Sequence, residues 1–345
     1  MDPIYSNTAV SPELMTRLRA MPKVELHVHL EGATDAATVW ELARRNQVTL
    51  PASTLEEWQS MYAFRDFDHF IEIYLLAADC MQTPADFAFM TERFLAQQAQ
   101  HNVKYCEVFL SASILLDKLP PAEVIAALAE TIRQGEATHG VQLRFIPDIS
   151  RQVPDSQYRV LEFVLAGQEE GIFIGLGVGG KEIGFPPELF TDVFAEARRQ
   201  GLHVVAHAGE TDGPQSIWGA IHSLQAERIG HGVRAIEDDQ LVDYLRQSQI
   251  PLEVSPYSNY RLKVVPPDQP HPIRALMDQG VYVTVNSDDP PMFSTDLTSE
   301  YVLLARQGFS WDELWQLSLN ALEASFLPDE AKAAYRAEWK TFARA

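Results

Sequence analysis

Four histidines and two adjacent aspartates are the residues here whose types and spacing promise chemistry. His27 and His29 lie within Lys23-Val-Glu-Leu-His-Val-His-Leu-Glu-Gly32. The alternation in this stretch reads as a strand, with Val24, Leu26, Val28 and Leu30 on one face and Glu25, His27, His29 and Glu31 on the other. Both imidazoles therefore leave the same face, and burying them side by side is costly unless something occupies the space between them. A divalent metal is the simplest occupant, because neutral imidazole is a common metal ligand. Two separately hydrogen-bonded core histidines are the alternative that His-x-His alone leaves open.

Three further segments carry residues of the same kind: His207-Ala-Gly-Glu210, Gly230-His231-Gly232 and Ser287-Asp288-Asp289. His27, His29 and His207 offer three nitrogens and Asp288 a carboxylate oxygen, a set suited to a catalytic zinc that keeps a position open for water. Such a metal lowers the pKa of a bound water to about 7. No His-x-Glu…Pro-Cys-x-x-Cys pattern is present, which excludes the cytidine-deaminase type of zinc site. Lys181 lies beyond the Gly179-Gly180 turn, not at a strand end where it would bridge two metals, so one Zn2+ per chain is expected. The histidines at 69, 101, 139, 203, 222 and 271 fall mostly on helices or loops and read as structural or solvated.

For these side chains to meet, their segments must be strands whose C-terminal ends gather in one place. Beyond the first, β-branched or aromatic runs occur at Val103–Leu110, Val141–Ile149, Ile172–Val178, Leu202–His207, Arg228–His231, Ile250–Val254 and Val281–Asn286. Stretches of helical period lie between most of them, at Pro121–Thr138, Tyr158–Gln168, Pro187–Gln200 and Asp238–Arg246. Eight parallel strands with helical crossovers predict an α/β fold, a (β/α)8 TIM-type barrel, as a single domain over residues 1–345. The fourth strand ends in the glycine run 175–180. Asp35–Asn46 has helical spacing. Residues 53–81 form a further helical insertion after strand one, with Trp58, Met61, Tyr62, Phe64, Phe67 and Phe70. That aromatic cluster reads either as core or as a lid over a pocket.

Composition narrows the partners. Forty-eight Asp plus Glu against 27 Lys plus Arg give a net charge of −21, which repels phosphate backbones and anionic lipid. Nucleic acid and membrane surfaces are therefore not expected partners. Two cysteines, Cys80 and Cys106, make neither a disulfide framework nor a thiolate site. The polar stretch Met1–Met21 lacks the apolar core of a signal peptide, and no run approaches ~20 apolar residues. A cytoplasmic location is the default expectation, and the oligomeric state is not legible.

Five segments together resemble the adenosine deaminase family of the amidohydrolase superfamily. They are Pro22-Lys-Val-Glu-Leu-His-Val-His-Leu-Glu-Gly-Ala33, His207-Ala-Gly-Glu210, Arg228-Ile-Gly-His-Gly232, Asn286-Ser-Asp-Asp-Pro290 and Ser318-Leu-Asn-Ala-Leu-Glu-Ala-Ser-Phe326. The resemblance spans nearly the whole chain and implies the same barrel. It implies that His27, His29, His207 and Asp288 hold zinc, that Glu210 gives a proton to purine N1, and that His231 orients or deprotonates the attacking water. It further implies that Asp289 meets N7, that the Gly180 backbone meets N3, and that Glu31 and His29 border the substrate. Typical adenosine deaminases carry Asp where Glu31 stands, contacting the ribose 5′ oxygen, and members commonly carry Asp where Gly177 stands.

The implied reaction is hydrolytic deamination of a 6-aminopurine nucleoside, adenosine or 2′-deoxyadenosine, to the inosine form plus ammonia. Aminodeoxyfutalosine, adenine and N6-substituted adenine are the alternatives. A metal-dependent hydrolase of cyclic amides or esters fits less well, because it has no use for the acid at Glu210. A binding protein that has lost its chemistry would lack a ligand or the acid, and none is missing here.

Overall fold

The computed structural model describes residues 9–343; the first eight residues of the polar N-terminal stretch and the last two of the chain lie outside the described residues. The strands are β1 (Lys23–His29), β2 (Val103–Leu110), β3 (Gln142–Ser150), β4 (Gly175–Gly179), β5 (His203–Ala208), β6 (Arg228–His231), β7 (Leu252–Val254) and β8 (Val283–Val285). They pair in parallel in that order. Helices between them complete the expected (β/α)8 barrel.

The seam between β8 and β1 is closed just beyond β8. His29 N–H donates to the Asp288 carbonyl (2.9 Å) and Asp288 N–H to the His27 carbonyl (3.1 Å). The Asn286 side chain adds two contacts that backbone pairing leaves out: its Oδ1 accepts from Leu26 N (2.9 Å) and His27 N (3.2 Å). A side-chain amide thus does the work of a strand carbonyl where the ladder is short.

Two expectations shift. The strand expected over Ile172–Val178 begins later, at Gly175, and runs through the glycines instead of ending in them. Phe173 makes only a single bridge to Phe145, and its ring packs on Phe163, 4.9 Å away, in the helix Gln157–Glu169. The helical region expected over 53–81 divides into Leu55–Ser60 and Phe67–Asp79. The division falls where Asp66, in extended backbone, accepts from His69 N–H and caps a new helix. The crossover into β2 is a separate helix, Pro84–Gln100, started by the Thr83/Asp86 capping box.

Candidate active site

All four expected strand ends open into one cavity of about 240 Å³. His27 and His29 leave β1, His207 leaves β5, and Asp288 follows β8. His29 Nε2 and His207 Nε2 face each other at 3.1 Å, and Asp288 Oδ1 lies 3.5 Å from both His27 Nε2 and His29 Nε2. His27 gives its Nδ1 to Glu253 Oε2 (2.9 Å) and His207 its Nδ1 to the Val178 carbonyl (3.1 Å). In each case the outward nitrogen carries a proton and Nε2 is the nitrogen that points inward.

Burial lowers His29 to about 4 and holds His207 well below its ordinary range, so both are neutral. Burial lowers His27 too, but Asp288 and Glu253 at its two nitrogens override it and bring it to about 9, so a proton and a cation compete for the same Nε2 position. The buried His27 Nε2 has no hydrogen-bond partner. Converging lone pairs beside a carboxylate, with one nitrogen left orphaned, are what a cation between them would satisfy. The donor set fits zinc. The ligand atoms of His27, His29 and His207, and separately those of His27, His231 and Asp288, lie within 4.8 Å of one another.

Strand four explains how His207 fits. An added Cβ at Gly179 would sit 3.2 Å from His207 Nδ1 and 3.1 Å from Asp148 Oδ2, so the strand is bare where its neighbours project. His231 (φ 60°) and Asp288 (φ 64°) both adopt left-handed backbone, a strained conformation that clusters at functional sites and here aims both side chains inward.

Glu210 follows β5, is buried and lines the cavity. Burial, then the charges of Asp288 and Glu182, push its carboxyl well above the usual range, which favours its protonated form. Glu182 shapes the turn that carries it: Oε1 accepts from the N–H groups of Glu210 (2.9 Å) and Thr211 (2.8 Å), and Oε2 from Gly209 (2.8 Å). His231 Nε2 stands 3.7 Å from Glu210 Oε2 and 3.9 Å from Asp288 Oδ2. Burial favours the protonated Asp288, but His27, His231 and His29 around it hold it well below the carboxylate range.

Asp289 lines the same cavity, and burial beside Asp288 pushes it well above the usual range; its Oδ1 has no partner. Gly180 lines it with φ +89°, a conformation open to glycine. Glu31 is placed differently. Its Oε1 accepts from Ser111 N–H (2.9 Å) and its Oε2 from the Tyr74 hydroxyl (3.3 Å), and it sits behind those residues outside the main cavity. The wall facing the histidines comes from the Phe67–Asp79 helix through Phe67, Phe70, Ile71, Tyr74 and Leu75. Part of the aromatic cluster therefore borders the cavity, while Trp58 lies in the core.

Sequence reasoning did not find Glu253, Glu182, Asn259 or His271. Glu253 is also bound by Arg228 Nε (2.5 Å), and Arg228 reaches Glu107 at 2.6 Å. A glutamate inside the three-residue apolar strand Leu-Glu-Val was the available signal.

The sequence model of the adenosine deaminase family matches residues 22–341. An adenine deaminase of Trichlorobacter lovleyi is 38% identical over 335 residues, 96% of this chain and 95% of that protein. The crystal structure of adenine deaminase from Arthrobacter aurescens superposes with a TM-score of 0.89 at 32% identity, covering 94% of this chain and all of that one. An amidohydrolase from Burkholderia ambifaria with bound zinc also superposes with a TM-score of 0.89, at 26% identity over 99% of this chain and 97% of that one.

Proposed function

The chain belongs to the adenosine deaminase family and is a hydrolytic deaminase, and from that premise we propose that its substrate is free adenine, converted to hypoxanthine and ammonia. One observation carries the choice of the base over the nucleoside that the motifs suggested. The carboxyl expected to read the sugar, Glu31, is bound by Ser111 and Tyr74 and does not line the main cavity. The adenine deaminases among its relatives support the same choice.

The polar groups match a 6-aminopurine. Three ring acceptors need donors, and protonated Glu210 serves N1, protonated Asp289 serves N7, and the Gly180 N–H serves N3. His27, His29, His207 and Asp288 would hold one zinc, which when bound supplies a water acidified to a pKa of about 7. As water attacks C6, its proton passes to Asp288 Oδ2, the oxygen turned toward His231 and away from the other ligands. Glu210 gives its proton to N1, where electron density collects. Asp288 then protonates the amino group, the C6–N bond breaks, and ammonia leaves. The hydroxyl proton left on C6 returns to Glu210 as the carbonyl forms.

A substrate panel followed by loss of absorbance near the adenine maximum tests this reading. It compares adenine, N6-methyladenine, adenosine, 2′-deoxyadenosine and aminodeoxyfutalosine. Adenine is expected to have the highest kcat/KM. A nucleoside turned over ten times better would replace it.

A further inference from the structure

The Pro-rich segment 266–272 reads as a loop, yet it buries a histidine. Ile273 N–H donates to His271 Nδ1 at 3.1 Å. A backbone N–H only donates, so Nδ1 is the acceptor and neutral His271 carries its proton on Nε2. That N–H meets Asn259 Oδ1 at 3.1 Å. The amide is thereby oriented, and its NH2 donates to His231 Nδ1 at 3.2 Å. A side-chain amide can be turned over without changing shape. Turned over here, it would set N–H against N–H at His271 unless that ring also gave up its backbone donor. His231 is left with its proton on Nε2, the nitrogen facing Glu210 and Asp288. Asn259, His271 and His231 are all buried, and each histidine accepts a hydrogen bond at Nδ1, which leaves its proton on Nε2.

We propose that His271 and Asn259 are positioning residues that hold His231 as its Nε2–H tautomer. In the deamination His231 then donates a hydrogen bond to the oxygen of the attacking water, and the water's proton goes to Asp288. The family resemblance leaves orienting and deprotonating roles equally open for His231; a ring with no lone pair toward the cavity can only orient. The proposal is independent of which 6-aminopurine is the substrate, because Asn259 and His271 do not line the cavity that receives it.

The test uses zinc-loaded enzyme labelled with 15N-histidine, with His231→Asn identifying the His231 signals. Wild type should show a protonated Nε2 and an unprotonated Nδ1 at His231. Asn259→Asp keeps the shape but offers only acceptors, so it should move the proton to Nδ1. Its kcat should fall by ~10²-fold or more, as expected for a wrong tautomer, with zinc content retained and KM within a few-fold. His271→Phe removes the donor and should lose activity similarly, whereas His271→Gln, which can accept from Ile273 and donate to Asn259, should recover most of it. The wild-type spectrum decides even if a variant fails to fold. Nδ1 protonation in wild type, an Asn259→Asp enzyme near wild-type rate, or equal loss in the Phe and Gln variants would each overturn the proposal.

Discussion

The two walls of the cavity are built on opposite principles. On the strand side, the rings of His27, His207 and His231 each have a second nitrogen bound by a buried partner: Glu253, the Val178 carbonyl and Asn259. On the helix side, Phe67, Phe70, Ile71 and Leu75 present hydrocarbon. That helix and its approach are fastened outside the cavity by the Lys181–Asp68 pair (3.0 Å) and by Lys263 Nζ on the Arg65 carbonyl (2.6 Å). The first wall fixes protonation states; the second fixes only shape. Damage to the strand side should therefore appear in kcat and metal content, and damage to the helix side in KM and substrate choice.

The largest effect should come from emptying the strand side. Full chelation is expected to abolish activity, and one equivalent of zinc to restore it. Two equivalents in the purified protein, or activity surviving chelation, would break the mononuclear assignment. Next, Glu210→Gln keeps the shape but cannot deliver a proton, a loss worth ~10²–10⁴ in rate. Substrate binding and zinc content should be unchanged. Because Glu210 is raised, its proton is present below that raised pKa and lost as pH rises through it. Wild-type kcat/KM should therefore fall on the alkaline side, and the residual activity of Glu210→Gln should lack that limb.

A smaller loss is expected one step outward. Glu253→Gln leaves His27 a neutral partner and strands Arg228 with less charge, and outer partners of this kind typically cost ~10–100-fold in metal affinity or activity. Zinc competition assays would read it directly. On the helix side, Tyr74→Phe removes one hydrogen bond from Glu31 and should leave kcat and zinc content alone, with a few-fold change in KM. A kcat loss matching that of Glu253→Gln would erase the distinction between the walls. The smallest effect belongs to Lys181→Ala. Both partners of that pair are well exposed, and such pairs contribute ~0–1 kcal/mol.

The same division governs what the sequence disclosed. Strand-side residues were legible because each ends a run of apolar residues, and barrel chemistry collects at such ends. Their partners were not. Glu253 lies 226 residues from His27, and His271 sits among prolines that read as a loop. Nothing local distinguishes a buried partner of that kind from an exposed polar residue. Strand four was started too early because Ile172, Phe173 and Ile174 have high strand propensity and the glycines that form the strand have little. What makes Gly177 and Gly179 suitable is the side chains of Asp148 and His207 from neighbouring strands, which local propensity does not register. The substrate was the least legible feature. Glu31 was expected on the histidine face of β1, but it lies in the turn after the strand, and its capture by Ser111 and Tyr74 depends on β2 and on the inserted helix.

The seam of the barrel also has a consequence for how the protein is made. Asp288 joins β8 to β1 through its own backbone, and the contacts there span about 260 residues, as between Leu26 and Asn286. At ~5–20 residues per second, a ribosome needs on the order of ten to fifty seconds to cover that interval. Throughout it, β1 and its two histidines exist with one edge unpaired and no carboxylate opposite. A nascent chain stopped short of Asp288 would expose that edge to pairing with other chains. The carboxylate of the donor set is therefore synthesised about 260 residues after the two histidines of β1, and the set is complete only once Asp288 has been added.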